Sequence, residues 1–133
     1  MGYRSNVMAL IYPDVAAVHD TPGVGDSKVL YEQLKTIMAT TFKDVSDEFG
    51  DPYMVWLDRE YVLRFDIPDV KWYPSYPDVQ MFTQMVSAFQ DDIPGYCTEF
   101  VRVGEEAEDV DTQFTGEDCQ HYLSVRTSID CNI

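Results

Sequence analysis

An α+β fold, built as a mostly antiparallel sheet with two helices packed on one face, is what this sequence predicts, and three observations carry the expectation. Leu30, Leu34, Ile37 and Met38, and again Val79, Phe82, Val86 and Phe89, recur at helical spacing and give each segment one apolar stripe. Several shorter segments alternate apolar and polar residues or are rich in β-formers. Their order mixes strands and helices without the strict alternation of a parallel α/β chain. At 133 residues, 45% hydrophobic and 14% aromatic, the chain is long and apolar enough for one domain with its own core.

Residues 6–12, Asn-Val-Met-Ala-Leu-Ile-Tyr, are apolar at both alternating sets of positions, so they predict a strand covered on each side, ended by Pro13. A Gly- and Pro-containing loop follows, and Asp26 stands where an N-cap belongs, opening a first helix over about 27–42. Residues 43–52, with Asp44, Asp47, Glu48 and Asp51 around Gly50, read as a solvated connection. Residues 53–57 and 61–65 flank Asp58-Arg59-Glu60 and suggest a hairpin. Pro68, Pro74 and Pro77 break the stretch 67–77 into an aromatic-lined turn or short edge strand, whose edge near Lys71 and Tyr73 is a candidate for pairing two copies in a homodimer. Ser75 as N-cap with Pro77 in the first turn opens the second helix, stopped by Ile93-Pro94-Gly95. Residues 97–103 and 121–129 alternate as strands. Between them, at 104–118, lies an acidic loop holding Glu105, Glu106, Glu108, Asp109, Asp111, Glu117 and Asp118 and no base. The resulting order is loosely ferredoxin-like without matching that plan exactly.

Twenty-four acids against nine bases give a formal net charge of -15. Such a field excludes direct binding to a phosphate backbone or an anionic membrane, both of which run on clustered Lys and Arg. Cys97, Cys119 and Cys131 match no disulfide framework and no C-x-x-C, so reduced thiols in a cytoplasm are expected. The apolar stretch after Met1 is too short for a signal sequence, and no window reaches the ~20 apolar residues of a spanning helix.

Motifs for chemistry are weak. Gly23-Val24-Gly25-Asp26-Ser27-Lys28 departs from the dinucleotide and P-loop patterns at the required glycine and lysine positions, and Asp26 would repel a phosphate. Asp109, Asp111 and Gln113 have the alternate spacing of calcium ligands, but Phe114 stands where the turn needs glycine and Gln120 where the loop needs Glu. Cys119 and His121 lack a second pair to complete a zinc site, and His19 is the only other histidine. No nucleophile elbow is present. The expectation is a protein without catalytic residues, metal or cofactor.

Two constellations remain. Arg64, Arg102 and Arg126 fall in three predicted strands; aligned beside Trp72 and Tyr76 they would suit a small anionic ligand such as a nucleotide, or pair as a structural ladder with Glu60, Asp66 and Glu99. The acidic segment serves either as a self-repelling solvated connection or as a ridge of carboxylates for a basic partner.

The opening Met1-Gly2-Tyr3-Arg4-Ser5, the central Val70-Lys71-Trp72-Tyr73 with Tyr76-Pro77-Asp78-Val79, and the late Phe100-Val101-Arg102-Val103-Gly104-Glu105-Glu106 resemble small hypothetical proteins of tailed bacteriophages and prophages. Residues 44–60 depart from that pattern. The resemblance transfers no functional residue. It implies a setting: accessory proteins made in the bacterial cytoplasm that bind and inhibit host machinery, including nuclease-based defence, as anti-CRISPR proteins do. The functional expectation is therefore a non-enzymatic inhibitor of a host protein with a basic surface, acting by nucleic-acid mimicry through Glu105, Glu106, Glu108, Asp109, Asp111, Glu117 and Asp118.

Overall fold

A computed structural model describes residues 4–14, 27–106, 109–115, 122–125 and 129–131. Their order is β1 (Arg4–Pro13), α1 (Ser27–Ala39), α2 (Lys43–Glu48), β2 (Met54–Leu57), β3 (Val62–Lys71), α3 (Pro77–Asp91), β4 (Tyr96–Val103), β5 (Val110–Phe114), β6 (Leu123–Val125) and β7 (Ile129–Cys131). Five strands form one antiparallel sheet in the order β2-β3-β1-β4-β5, and β6 pairs with β7 alone. The α+β expectation holds. The first four strands with α1 and α3 follow the β-α-β-β-α-β split plan of ferredoxin-like domains. The surplus strand is β5, which extends the sheet beyond β4.

Strand alternation sorts the sheet into two cores. Val7, Ala9 and Ile11 of β1 join Leu63, Phe65 and Ile67 of β3 and Tyr96 and Phe100 of β4 under the helices. Leu34 and Met38 of α1, Val45 of α2 and Phe82, Met85 and Phe89 of α3 close that core from above. Leu10 and Tyr12 of β1, Val62, Cys97 and Val101 point the other way, toward Leu123 of β6 and the flanking Ile129 and Cys131 of β7. The double burial expected of β1 is thus real, but its second cover is a hairpin. Residues 121–129 do not form one strand: β6 and β7 replace it.

Glu99 holds that hairpin. Its side chain is fully buried. It accepts hydrogen bonds from the Tyr12 hydroxyl at 2.5 Å and from the backbone amides of Tyr122 and Leu123 at 3.1 and 3.0 Å. A carboxylate is tolerated there because three donors replace its water. Cys97, two residues before it on β4, is disulfide-bonded, whereas Cys131 is a free thiol. This corrects the expectation of three reduced cysteines.

Other expectations change as well. The connection at 43–52 contains α2, which buries Val45 and ends at Phe49, itself packed edge-on against Phe82 at 5.3 Å. Gly50 follows because a Cβ there would lie 2.4 Å from the Ser46 carbonyl oxygen. Residues up to Lys71 continue β3 and pair with β1, whereas β2 reaches only as far as Phe65 on the other side, so among the described residues no strand covers that side of residues 67–71. Pro68 is accommodated by a bulge: Pro68 and Asp69 stand opposite Asn6, whose side-chain oxygen accepts the Asp69 amide while Asp69 takes φ 50°. Tyr76, not Ser75, is the N-cap of α3, with Pro77 in the first turn. Asp26 lies outside the described residues. No described helix is long and apolar enough to cross a membrane.

Two predictions follow from the buried polar anchors. Glu99→Leu leaves two amides and a phenol without partners and should cost about 3 kcal/mol in urea denaturation, with Glu99→Gln milder because it keeps an acceptor; equal effects would contradict the anchoring role. Burial pushes the Tyr96 hydroxyl, which donates to Leu30 O at 2.6 Å, up to about 12, and burial followed by the Asp58 hydrogen bond raises Tyr31 further. Both phenols ionise more readily unfolded, so the stability they contribute is complete below their ordinary pKa near 10 and is lost as pH rises from there. Tyr96→Phe should lower stability at neutral pH and make the alkaline decline shallower; an unaltered alkaline limb would refute this assignment.

Candidate functional site

The acidic segment is partly strand. Residues 110–114 are β5, running antiparallel to β4 with Arg102 opposite Asp111 and Phe100 opposite Gln113. Helices cover β3, β1 and β4, but the helix layer stops before β5. On that side, Trp72, Tyr73, Val79, Thr83, Phe100 and Arg102, with Asp111 and Gln113 of β5, line a cavity of about 640 Å³.

Arg102 organises this end of the sheet. Its Nε donates to Asp111 at 2.8 Å, Nη1 to Ser5 Oγ at 3.0 Å and Asp109 at 3.1 Å, and Nη2 lies 2.6 Å from Asp109 and 2.7 Å from Asp111. Only 12% of its side chain is exposed, against 31% for Asp109 and 62% for Asp111. The fork geometry meets two carboxylates at once, and the hydrogen bond to Asp109 is the leading reason the guanidinium is held still more firmly protonated than usual. Backbone bonds complete the connection: Gly104 N donates to Asp109 O, and Asp109 N to Glu106 O. Glu105 accepts the Arg4 amide at 2.8 Å, and the Arg4 guanidinium in turn pairs with Asp69. The alternate spacing of Asp109 and Asp111, which resembles a calcium loop, is strand periodicity that brings both carboxylates to one arginine.

The predicted residues separate into groups. Glu105, Glu106, Asp109 and Asp111 lie together around β5. Glu108, Glu117, Asp118 and Arg126 lie outside the described residues. The arginines do not converge: Arg102 shares the helix-facing side with Phe100, whereas Arg64 stands opposite Leu10 and Val55 on the reverse side. Every nitrogen of Arg102 is engaged by its own chain. Trp72 is mostly buried core, ringed by Phe49, Phe82 and Phe100, and Tyr76 is exposed and stacks edge-on with Tyr73 at 5.1 Å. Arg64 is not part of a ladder with Glu60, Asp66 or Glu99, and its Nε is buried without a partner. No protein-family model, curated protein or solved structure matches this chain. Fold and surface chemistry carry the functional argument.

The two arginines should respond oppositely to apolar replacement. Arg102→Leu leaves Asp109 and Asp111 facing each other and should cost about 2 kcal/mol in thermal or urea unfolding. Arg64→Met removes an unsatisfied buried donor and should be neutral or stabilising. A large loss from Arg64→Met, or none from Arg102→Leu, would invert this reading.

Proposed function

We propose that this protein is a non-enzymatic, acidic accessory protein of the bacteriophage type, which binds a host protein with a basic surface and inhibits it, the target being a nucleic-acid-handling enzyme of the nuclease-defence kind. The observation that supports this most directly is the fixed carboxylate geometry around β5, where Arg102, the Gly104–Asp109 bond and the Arg4 amide hold Asp109, Asp111 and Glu105 in place. Pre-ordered charges associate without the entropic cost of organising a loop. Duplex DNA presents one charge per ~1.7 Å of axis, so a channel lined with Lys and Arg to receive it also receives a rigid anionic edge.

The rest of the surface adds to this field. Among the described residues, the helices carry Glu32, Asp44, Asp47, Glu48, Asp78 and Asp91 against Lys28, Lys35 and Lys43. Lys35 is drawn onto Asp58 and Lys43 onto Asp47, so neither offsets the remaining acids. A net charge of -15 on a small domain weakens it by self-repulsion, and a binding role supplies a reason to keep it. The phage setting places the protein in the cytoplasm of a bacterial host. Glu99 holds the hairpin through hydrogen bonds that do not depend on the redox state of that setting.

The test is capture from bacterial lysate on the immobilised protein, elution by salt, and competition with a short DNA duplex. A basic nucleic-acid-binding enzyme displaced by duplex is the expected result. Replacing Glu105, Glu106 and Glu108 with Gln leaves the Arg102 clamp intact and should slow association with that enzyme about tenfold at low salt, the difference vanishing at high salt. Binding indifferent to salt, duplex and these substitutions would defeat the proposal.

A further inference from the structure

We infer that β5 is a docking edge, which takes an extended, basic segment of the partner as a sixth strand. This rests on the reading above and names how the partner is gripped. The register fixes which way β5 presents its backbone. Gly104 N donates to Asp109 O and Thr115 N to Thr98 O, with the pairs Arg102–Asp111 and Phe100–Gln113 between them. Residues 109, 111, 113 and 115 therefore direct their main-chain groups toward β4. Val110, Thr112 and Phe114 direct theirs outward, and among the described residues β5 has no neighbour on that side in the sheet. An added strand satisfies these groups by ordinary ladder bonds.

Side chains select the occupant. On the helix-facing side Asp111 gives only Oδ2 to Arg102, so Oδ1 is open to a further donor, and the cavity bordered by Trp72, Tyr73 and Gln113 lies alongside. On the reverse side Val110 and Phe114 are half-buried and apolar. A strand alternating Lys or Arg with apolar residues matches both sides. A second copy of this chain does not, because two edges bearing Asp111 within chains of net charge -15 repel. Natural edges are guarded against such pairing by lysine, proline or a bulge. The strand Val-Asp-Thr-Gln-Phe has no lysine or proline, and its register with β4 is unbroken.

The experiment uses the whole chain and a capped peptide of alternating lysine and valine at low salt, with a proline-interrupted peptide of equal charge as control. Amide exchange is followed by NMR and affinity by calorimetry. The alternating peptide should slow exchange at Thr112 and Phe114 by at least about tenfold and bind more tightly than the control. Thr112→Pro, which removes an outward N–H that the fold does not use, should abolish that advantage. Equal affinity of both peptides, or unchanged exchange at Thr112 and Phe114, overturns edge pairing while leaving the electrostatic reading standing. Absence of binding by both peptides overturns both readings. Slow exchange at these amides in the free protein with a dimeric mass assigns the edge to a second copy and refutes the proposal; if Thr112→Pro does not fold, exchange in the unaltered chain decides.

Discussion

Arg102 has to be satisfied by its own chain. It projects from β4 toward the side where the helix layer ends, with 12% of its side chain in solvent, and a guanidinium so placed costs stability unless its donors are filled. Asp109 and Asp111 fill them, and in doing so they fasten the β4–β5 connection and set the register of the edge strand. A chain with so many acids can afford few arrangements in which carboxylates are rigid, because rigidity needs a cation or several amides per group. Arg102 is the cation that makes it possible at this edge.

The same logic operates on the reverse side with amides instead of a cation. Glu99 receives the Tyr12 hydroxyl and two backbone N–H groups, and so ties β6 to the middle of the sheet. Strand β4 thus carries, on opposite faces, the two side chains that fasten its neighbours: Arg102 holds β5 and Glu99 holds the β6–β7 hairpin. Arg64 is the exception. It lies on the hairpin side with its Nε buried and unpartnered, a desolvation cost with no return within the described structure.

What the sequence revealed depended on whether a signal was local. β1, α1 and α3 were legible because their apolar residues repeat at the period of the element that they form. Helix α2 was not: six residues with one buried valine are too short for periodicity, and Asp44, Asp47 and Glu48 made the segment resemble a solvated turn. Pro68 read as a strand breaker because its compensation, the Asn6 side chain opposite a bulge, comes from 62 residues earlier and cannot be seen locally. Strand β5 was hidden among acids, since its pairing energy comes from β4. The candidate acids were found by charge alone, but their alternation, read as failed calcium spacing, was the strand signal that would have placed two of them on one arginine. The cationic cluster failed for the converse reason: strand membership does not fix the face, and residues 64 and 102 fall on opposite faces.

The most direct test of the account is the backbone order parameter of Asp109, Asp111 and Gln113 measured by ¹⁵N relaxation in the free protein. Values near those of β4, about 0.85, are expected if the carboxylates are fixed in advance of binding; values below about 0.6 would show a mobile acidic loop and contradict the account.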